Sequence, residues 1–377
     1  MRFEEVLEIW TERTITQEEA ALMLGVSDRT FRRYVNRYKE EGLEGLSDKR
    51  LTQASSRRAP VDEVVELLSQ YKSRYMGWNV KHFYSFYKKG GGIRSYSWVK
   101  NELQSARLVL KVKKQGVHRK RREPSPLPGM MLHQDGSTHE WVEGKKWDLI
   151  VTMDDATNEH YSMFFVEEEG TRSSFRGVRE VIEKHGLFSS FYSDRGSHYW
   201  HTPEAGGKVD KDNPTQFGRA MRRLGIEMIA AYSPEARGRS ERAFNTHQDR
   251  LVKELALNGI TTMEEGNRYI KETYLPAYNE ELSHSASEEG SAFTPMVGLN
   301  LDDILCEQYE RKVGADNCVQ FEKKNLQIPK DEHRFHYVKT KVRVHRYADG
   351  SLAIFHGPRK LSEYDNDGQL KEIKKAA

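Results

Sequence analysis

The stretch from Gly129 to about Asn258 constrains the fold most. Three apolar, β-favouring runs, GMMLHQDGS, KWDLIVTMDDATN and HYSMFFVEEE, follow one another across short polar or glycine-bearing turns. Their composition predicts an antiparallel meander. The pattern then changes period. A helix is predicted from Ser173 to His185, ended by Gly186, then a strand in LFSSFYSD, and a helix from Gln216 to Leu224, closed by Gly225. A strand in IEMIAAYS and a long helix over 239–258, with Leu251 and Leu255 on one stripe, complete the series. Elements in this order bury their apolar faces as one mixed sheet with helices on both sides.

The flanking segments read differently. Residues 1–46 are helical, with Thr16 as a cap and Glu19 in the capping-box position, and Ala20, Ala21 and Leu24 at helical spacing. Gly25 breaks the pattern, and Ser27 caps a second helix from Asp28 to about Glu41. Helix, glycine-containing turn, helix is the helix-turn-helix plan. Arg29, Arg32, Arg33 and Arg37 fill much of the second helix's non-packing face, as a helix reading phosphates and guanine edges requires. Residues 47–60 read as a linker ending in Pro60, and 61–106 as a second helical module whose reading helix would be Ser95–Ala106. Its aromatics are expected in its core. Residues 107–129 form a basic, proline-containing linker that includes Arg119, Lys120, Arg121 and Arg122. Beyond the core and its helical extension (130–298) come a connector at 299–334 and a small β domain with a charged tail at 335–377, marked by two alternating runs around Asp349-Gly350.

Charge is informative by position rather than by sum. The chain carries 60 Lys and Arg against 57 Asp and Glu, a net charge of +3, yet eight of the basic residues fall between Arg107 and Glu123. A local basic stretch on a near-neutral background points to a polyanion met locally. No apolar run approaches the roughly 18 residues of a membrane span, and the N-terminus lacks the apolar segment of a signal peptide. Cys306 and Cys318 have no neighbouring metal-ligand partners and form no disulfide framework, which fits a reducing cytoplasm.

Three strands followed by α-β-α-β-α is the order of an RNase H-like core. In that order Asp135 falls at the end of the first strand, Asp194 at the end of the fourth, and Glu241 near the start of the last helix. If strands one and four are neighbours, their ends bring the three carboxylates together, where ligands of such sheets usually bind. Hard divalent cations take such oxygen ligands. Two of them roughly 3.5–4 Å apart support in-line phosphoryl displacement.

HQDGS (133–137), VTMDDATN (151–158), YSDRGSHY (192–199) and AYSPEARGRSERAFNTHQDRLVKEL (231–255) make the resemblance specific. The sequence resembles the DDE transposases of bacterial insertion sequences in the retroviral-integrase-like superfamily, most closely the ISNCY type. The likeness extends over the helix-turn-helix, the core and the Thr294–Pro295 region. It implies an RNase H-like integrase catalytic core, catalysis and metal binding by Asp135, Asp194 and Glu241, two Mg²⁺ or Mn²⁺ ions, and a homo-oligomer assembled on paired transposon ends. It also implies a bacterial, nucleoid-associated protein without a membrane partner. Many integrases have Asn where this chain has Arg195, and the interval from Asp194 to Glu241 is lengthened by an insert at 200–215. Neither departure removes a carboxylate.

Neighbouring residues compete for roles. Asp154 and Asp155 read as turn residues with Asn158, and Glu235 as a loop residue. Arg237, Arg239 and Arg242 surround Glu241 and are expected to hold the DNA backbone. His133 and His198 flank the acidic residues, and Asn245 and Gln248 follow on the helix as supports or DNA contacts. The expected function is cleavage of DNA at transposon ends and joining of the 3′-hydroxyls to target DNA. A non-catalytic helix-turn-helix regulator and an RNase H-like nuclease without strand transfer are the alternatives.

Overall fold

The computed structural model describes residues 2–47, 58–111, 123–204, 207–232, 238–330, 332 and 334–371. The chain forms two compact units, Met1–Ser73 and Arg74–Ala377.

The first unit contains α1 (Phe3–Thr11), α2 (Gln17–Met23) and α3 (Asp28–Glu41). Thr16 and Glu19 form the expected capping box on α2, and the Ser27 side chain accepts the Thr30 N–H at the start of α3. Val6, Ala20, Ala21, Phe31 and Val35 make its core. Packing on Phe31 leaves Arg29, Arg32 and Arg33 exposed, and Arg37 half-buried. The α4 helix (Val61–Arg74) straddles the boundary between the units.

In the second unit, α5 (Val80–Lys89) and α6 (Tyr96–Ser105) precede the sheet. The sequence groups them with α4, but they pack within the same unit as the core. The sheet strands are β1 (Met131–Val142), β2 (Lys145–Asp154), β3 (His160–Val166), β4 (Ser190–Ser193) and β5 (Glu227–Ala230), with α7 (Thr171–His185), α8 (Gln216–Leu224) and α9 (Gly238–Leu257) between and after them. Their order is β3-β2-β1-β4-β5. The first three strands pair antiparallel, while β1–β4 and β4–β5 are parallel. This is the RNase H-like arrangement. Gly225 closes α8 in the left-handed region at φ 73°, where a side chain would be strained.

Each face has its own core. Leu132, Phe191, Val178, Val181, Phe217 and Met221 pack α7 and α8 on one side. Trp141, Leu149, Val151, Phe165, Phe244 and Leu251 pack α9 on the other. There α10 (Met263–Tyr269) and α11 (Leu275–Leu282), joined by a π-helical turn over Ile270–Tyr274, flank the edge strand β3. Asn267 bonds the Phe165 N–H (2.6 Å) and carbonyl (3.1 Å), and Asn279 bonds those of His160 (2.9 and 2.8 Å). Two side-chain amides thus occupy backbone groups that an edge strand otherwise leaves open to pairing.

The C-terminal β domain begins earlier than expected. After a short helix, α12 (Leu301–Ile304), β6 (Glu307–Lys312) joins β9 (Lys341–Arg346), β10 (Leu352–His356) and β11 (Arg359–Tyr364) in one antiparallel sheet, while β7 (Cys318–Phe321) and β8 (Lys324–Gln327) form a separate hairpin. The segment read as a connector therefore supplies strands. EQYERK has a strand's length but a polar composition, so its pairing with β9 is not visible locally. The Asp349-Gly350 hairpin forms as expected, with Gly350 at φ 84°.

Candidate catalytic edge of the sheet

Strand β1 continues well beyond its parallel neighbour. Met131, Leu132 and His133 lie opposite Ser190, Phe191 and Tyr192. Two residues further on, the same register sets Asp135 level with Asp194, about 4.8 Å away across the sheet. Asp135 is mid-strand rather than at a strand end, because β1 goes on to pair with β2 as far as Val142. Asp194 directly follows β4, and its Oδ1 accepts the Gly196 N–H at 2.8 Å. The site thus lies at the corner where β4 stops and β1 runs on.

Alternation decides the face. His133 and Tyr192 meet with ring centroids 4.9 Å apart, so Asp135 and Asp194, each two residues on, share that face. It is the face covered by α9. Arg239 at the start of α9 contacts the Asp155 carboxylate at 2.9 Å, and His133 bonds the same Oδ1 at 2.8 Å. Farther along, Gln248 donates to Ser137 Oγ at 3.0 Å. Nine helical residues rise about 13.5 Å and four strand residues about 13.6 Å. The helix therefore runs alongside β1 in the same sense, and Glu241 falls between the levels of His133 and Asp135. Glu241 also precedes Gln248 by about two turns, on the same stripe.

The Glu241 side chain is exposed, while Asp135 and Asp194 are half-buried. Among the described residues, no three His, Cys, Asp or Glu side chains stand close enough together to hold a metal ion. The register sets the two aspartates side by side, whereas Glu241 is aligned with them along the helix without closing on them.

A fourth carboxylate approaches from the opposite face. The Glu169 N–H is held by Asp148 at 2.7 Å, and its carboxylate reaches over Gly136. His198, on the loop after β4, lies 3.5 Å from Glu169 Oε1. Tyr199 is pushed well above the usual phenol range, first by burial and then by the charges of Glu169, Asp135 and Asp194. It donates to Gln134 Oε1 at 2.9 Å, which fixes it beneath the site as a neutral phenol. Glu169 was not among the sequence candidates. Its position two residues before α7 and the glycine after Asp135 were the available signals.

Several neighbouring residues prove structural. Asp154 and Asp155 are fully buried. The Asp154 side chain accepts N–H groups from Gly129, Ala156 and Thr157, closing the turn expected there. Burial alone would raise the Asp155 carboxyl. The His133 bond, the Ser125 N–H and the Arg239 charge outweigh it and hold Asp155 well below the usual carboxylate range. Arg239, expected on the DNA backbone, is instead turned inward onto this buried carboxylate, whose charge would otherwise be costly. Arg242 is exposed, its Nε donating to the Gly238 carbonyl at 2.7 Å. Arg119, Lys120, Arg121, Arg122, Glu235 and Arg237 lie outside the described residues. Thr294 pairs with Leu187 by two backbone bonds of 2.8 and 2.9 Å, just before β4.

The chain is similar to several known proteins. The family of winged helix-turn-helix domains matches residues 7–63. A Sinorhizobium fredii protein named as a transposase, y4bF, is 29% identical over 93% of this chain and 77% of its own length. The transposase for insertion sequence IS1202 of Streptococcus pneumoniae is 24% identical over 90% of this chain and 80% of its own. The chain is thus similar over most of its length to proteins named as insertion-sequence transposases. Among solved structures, a simian T-cell lymphotropic virus intasome in complex with a PP2A regulatory subunit aligns with 74% of this chain and 91% of the viral chain, at 15% identity and a TM-score of 0.36. No described helix is long and apolar enough to cross a membrane.

Proposed function

We propose that this protein is a DNA transposase of the DDE type that binds the terminal inverted repeats of its element, cuts at the transposon end and joins the end to target DNA. The observation that supports it best is the shared level and face of Asp135 and Asp194, with Glu241 aligned on α9 beside them. These carboxylates offer hard oxygen donors that suit Mg²⁺ or Mn²⁺. A pair of such ions, when bound, supplies Lewis-acid activation of the attacking oxygen and stabilisation of the leaving one.

The chain's own residues do the rest. Asp135 would be shared by both ions, with Asp194 and Glu241 each completing one side. Arg242, exposed next to Glu241 on α9, would bind a flanking phosphate. In the first step a water oxygen forms a bond to the phosphorus and the bond to the 3′ oxygen breaks, leaving a 3′-hydroxyl and a 5′-phosphate. In the second step that 3′-hydroxyl attacks a target phosphodiester and releases a target 3′-hydroxyl. Neither step needs a covalent link to protein. The helix-turn-helix modules would read the end sequences, with phosphate contacts giving affinity and base contacts specificity. Subunits would assemble on paired ends.

A strand-transfer assay tests this reading. The protein is mixed with its element's terminal duplex and a plasmid target, in Mg²⁺ or in EDTA, beside Asp194→Asn. Metal-dependent joining that the substitution abolishes is the expected result. Cleavage without joining would indicate a nuclease, and tight end binding without chemistry a regulator.

A further inference from the structure

We propose that α6 is a DNA-reading helix and that the docking of α5 on α9 is a gauge, holding that helix at a fixed distance from the Asp135–Asp194 corner. The proposal rests on the reading of that corner as the site of DNA cleavage.

The surface of α6 fits a duplex. The helix buries Val99 and Leu103 and exposes Ser97, Lys100 and Asn101, with Gln104 half-exposed on the same stripe. Asn and Gln amides can pair with an adenine edge, and Lys with guanine or phosphate. Residues 79–111 contain seven Lys and Arg and one acidic residue, Glu102. That charge is complementary to DNA and lies on the elements that carry the polar stripe.

The route from α6 to the corner consists of specific contacts. The turn between α5 and α6 is braced by tyrosines: the Arg94 N–H donates to Tyr87 Oη (3.2 Å), and Tyr84 donates to the Arg94 carbonyl (3.3 Å). A Cβ at Gly92 would stand 2.3 Å from the Tyr87 ring, so the turn closes tightly on that ring. The start of α5 is fixed to α9 in two places. Asn79 caps α5 through the His82 N–H (2.8 Å) and gives its amide to Asp249, while the buried His82 ring meets Glu254 Oε1 at 2.7 Å. Trp78 stacks on the same ring at 4.1 Å and 16°. Glu254 accepts from Tyr269 with its other oxygen. A surface helix needs no such buried polar dock merely to remain folded.

Along α9, Asp249 and Glu254 lie about 12 and 20 Å from Glu241. Adding the roughly 15 Å length of α5, the reading stripe falls up to roughly eight to ten base pairs from the cut phosphate, at about 3.4 Å per base pair.

Both halves are tested with the full chain and a duplex of the element's terminal 60 base pairs, beside a random duplex. Lys100→Ala/Asn101→Ala is expected to weaken binding to the terminal duplex tenfold or more and to the random duplex much less. Unchanged discrimination between the two duplexes would overturn the reading role. For the gauge, Glu241→Cys is conjugated to an iron–EDTA reagent, and hydroxyl-radical scission of the bound terminal duplex is mapped. This readout needs no catalysis, so it remains informative even if the protein proves unable to cut. A narrow band of scission within about ten base pairs of the α6 footprint is expected. It should spread when Asn79→Ser, which keeps a capping oxygen but cannot reach Asp249, is combined with His82→Phe, which keeps a ring against Trp78. A broad band in the parent, or a band unchanged by the docking variant, would overturn the gauge.

Discussion

The Glu169 carboxylate lies across Gly136, so close that a Cβ at 136 would stand 2.4 Å from Oε2 and 3.0 Å from Oε1. Gly136 directly follows Asp135, and any side chain there must move either Glu169 or the strand that carries Asp135. Gly136→Ala is expected to lower DNA cleavage by tenfold or more. The melting temperature should change little, because the obstructing atoms end a flexible side chain. In the double variant with Glu169→Ala the clash is gone, so activity should return to that of Glu169→Ala alone. A double variant no better than Gly136→Ala would rule out the clash as the cause. The cycle is needed because adjacent residues do not act additively.

Arg239 and Arg242 are one turn apart on α9 but differ in what they touch. Arg239→Ala removes a partner of the fully buried Asp155, and is expected to cost roughly 3 kcal/mol in denaturant unfolding. Arg242→Ala, at an exposed position, should change stability by no more than about 0.5 kcal/mol while weakening DNA binding. Equal effects on stability would contradict this division.

His160 and His247 meet at 3.1 Å between their Nε2 atoms, both buried. Burial lowers His160 to about 4, and lowers His247 well below the usual imidazole range, aided by His160 and Arg250. The unfolded chain takes up protons below about pH 6.5 that the native pair refuses. Stability from this pair is therefore complete above about pH 6.5 and is lost as pH falls toward 4, at about 1.4 kcal/mol per pH unit for each histidine. His247→Gln should make the decline shallower in urea melts across that window. An unchanged slope would assign the pH dependence to other groups.

Arg29 and Arg33 are exposed on α3. If each neutralises one phosphate, Arg29→Ala/Arg33→Ala should flatten the plot of log affinity against log salt by roughly two units. A lower affinity with the same slope would show that the arginines do not meet phosphates.

The sequence by itself determined the elements and their kinds. Thr16, Glu19 and Ser27 cap where their side chains can reach nearby N–H groups, and Gly225 ends α8 where φ must be positive. Such preferences act over a few residues, so they can be read locally. The order of elements then restricted the core to an RNase H-like sheet. Tertiary structure alone decided what depends on distant partners. EQYERK became β6 only by pairing with β9, and α5 joined the core through Asn79 and His82 meeting α9. Arg239 has the same charge whether it faces DNA or a buried aspartate; only the fold supplied Asp155. Glu169 entered the corner because β1 and α7 converge there, a relationship set by packing across the sheet rather than by neighbours in the chain.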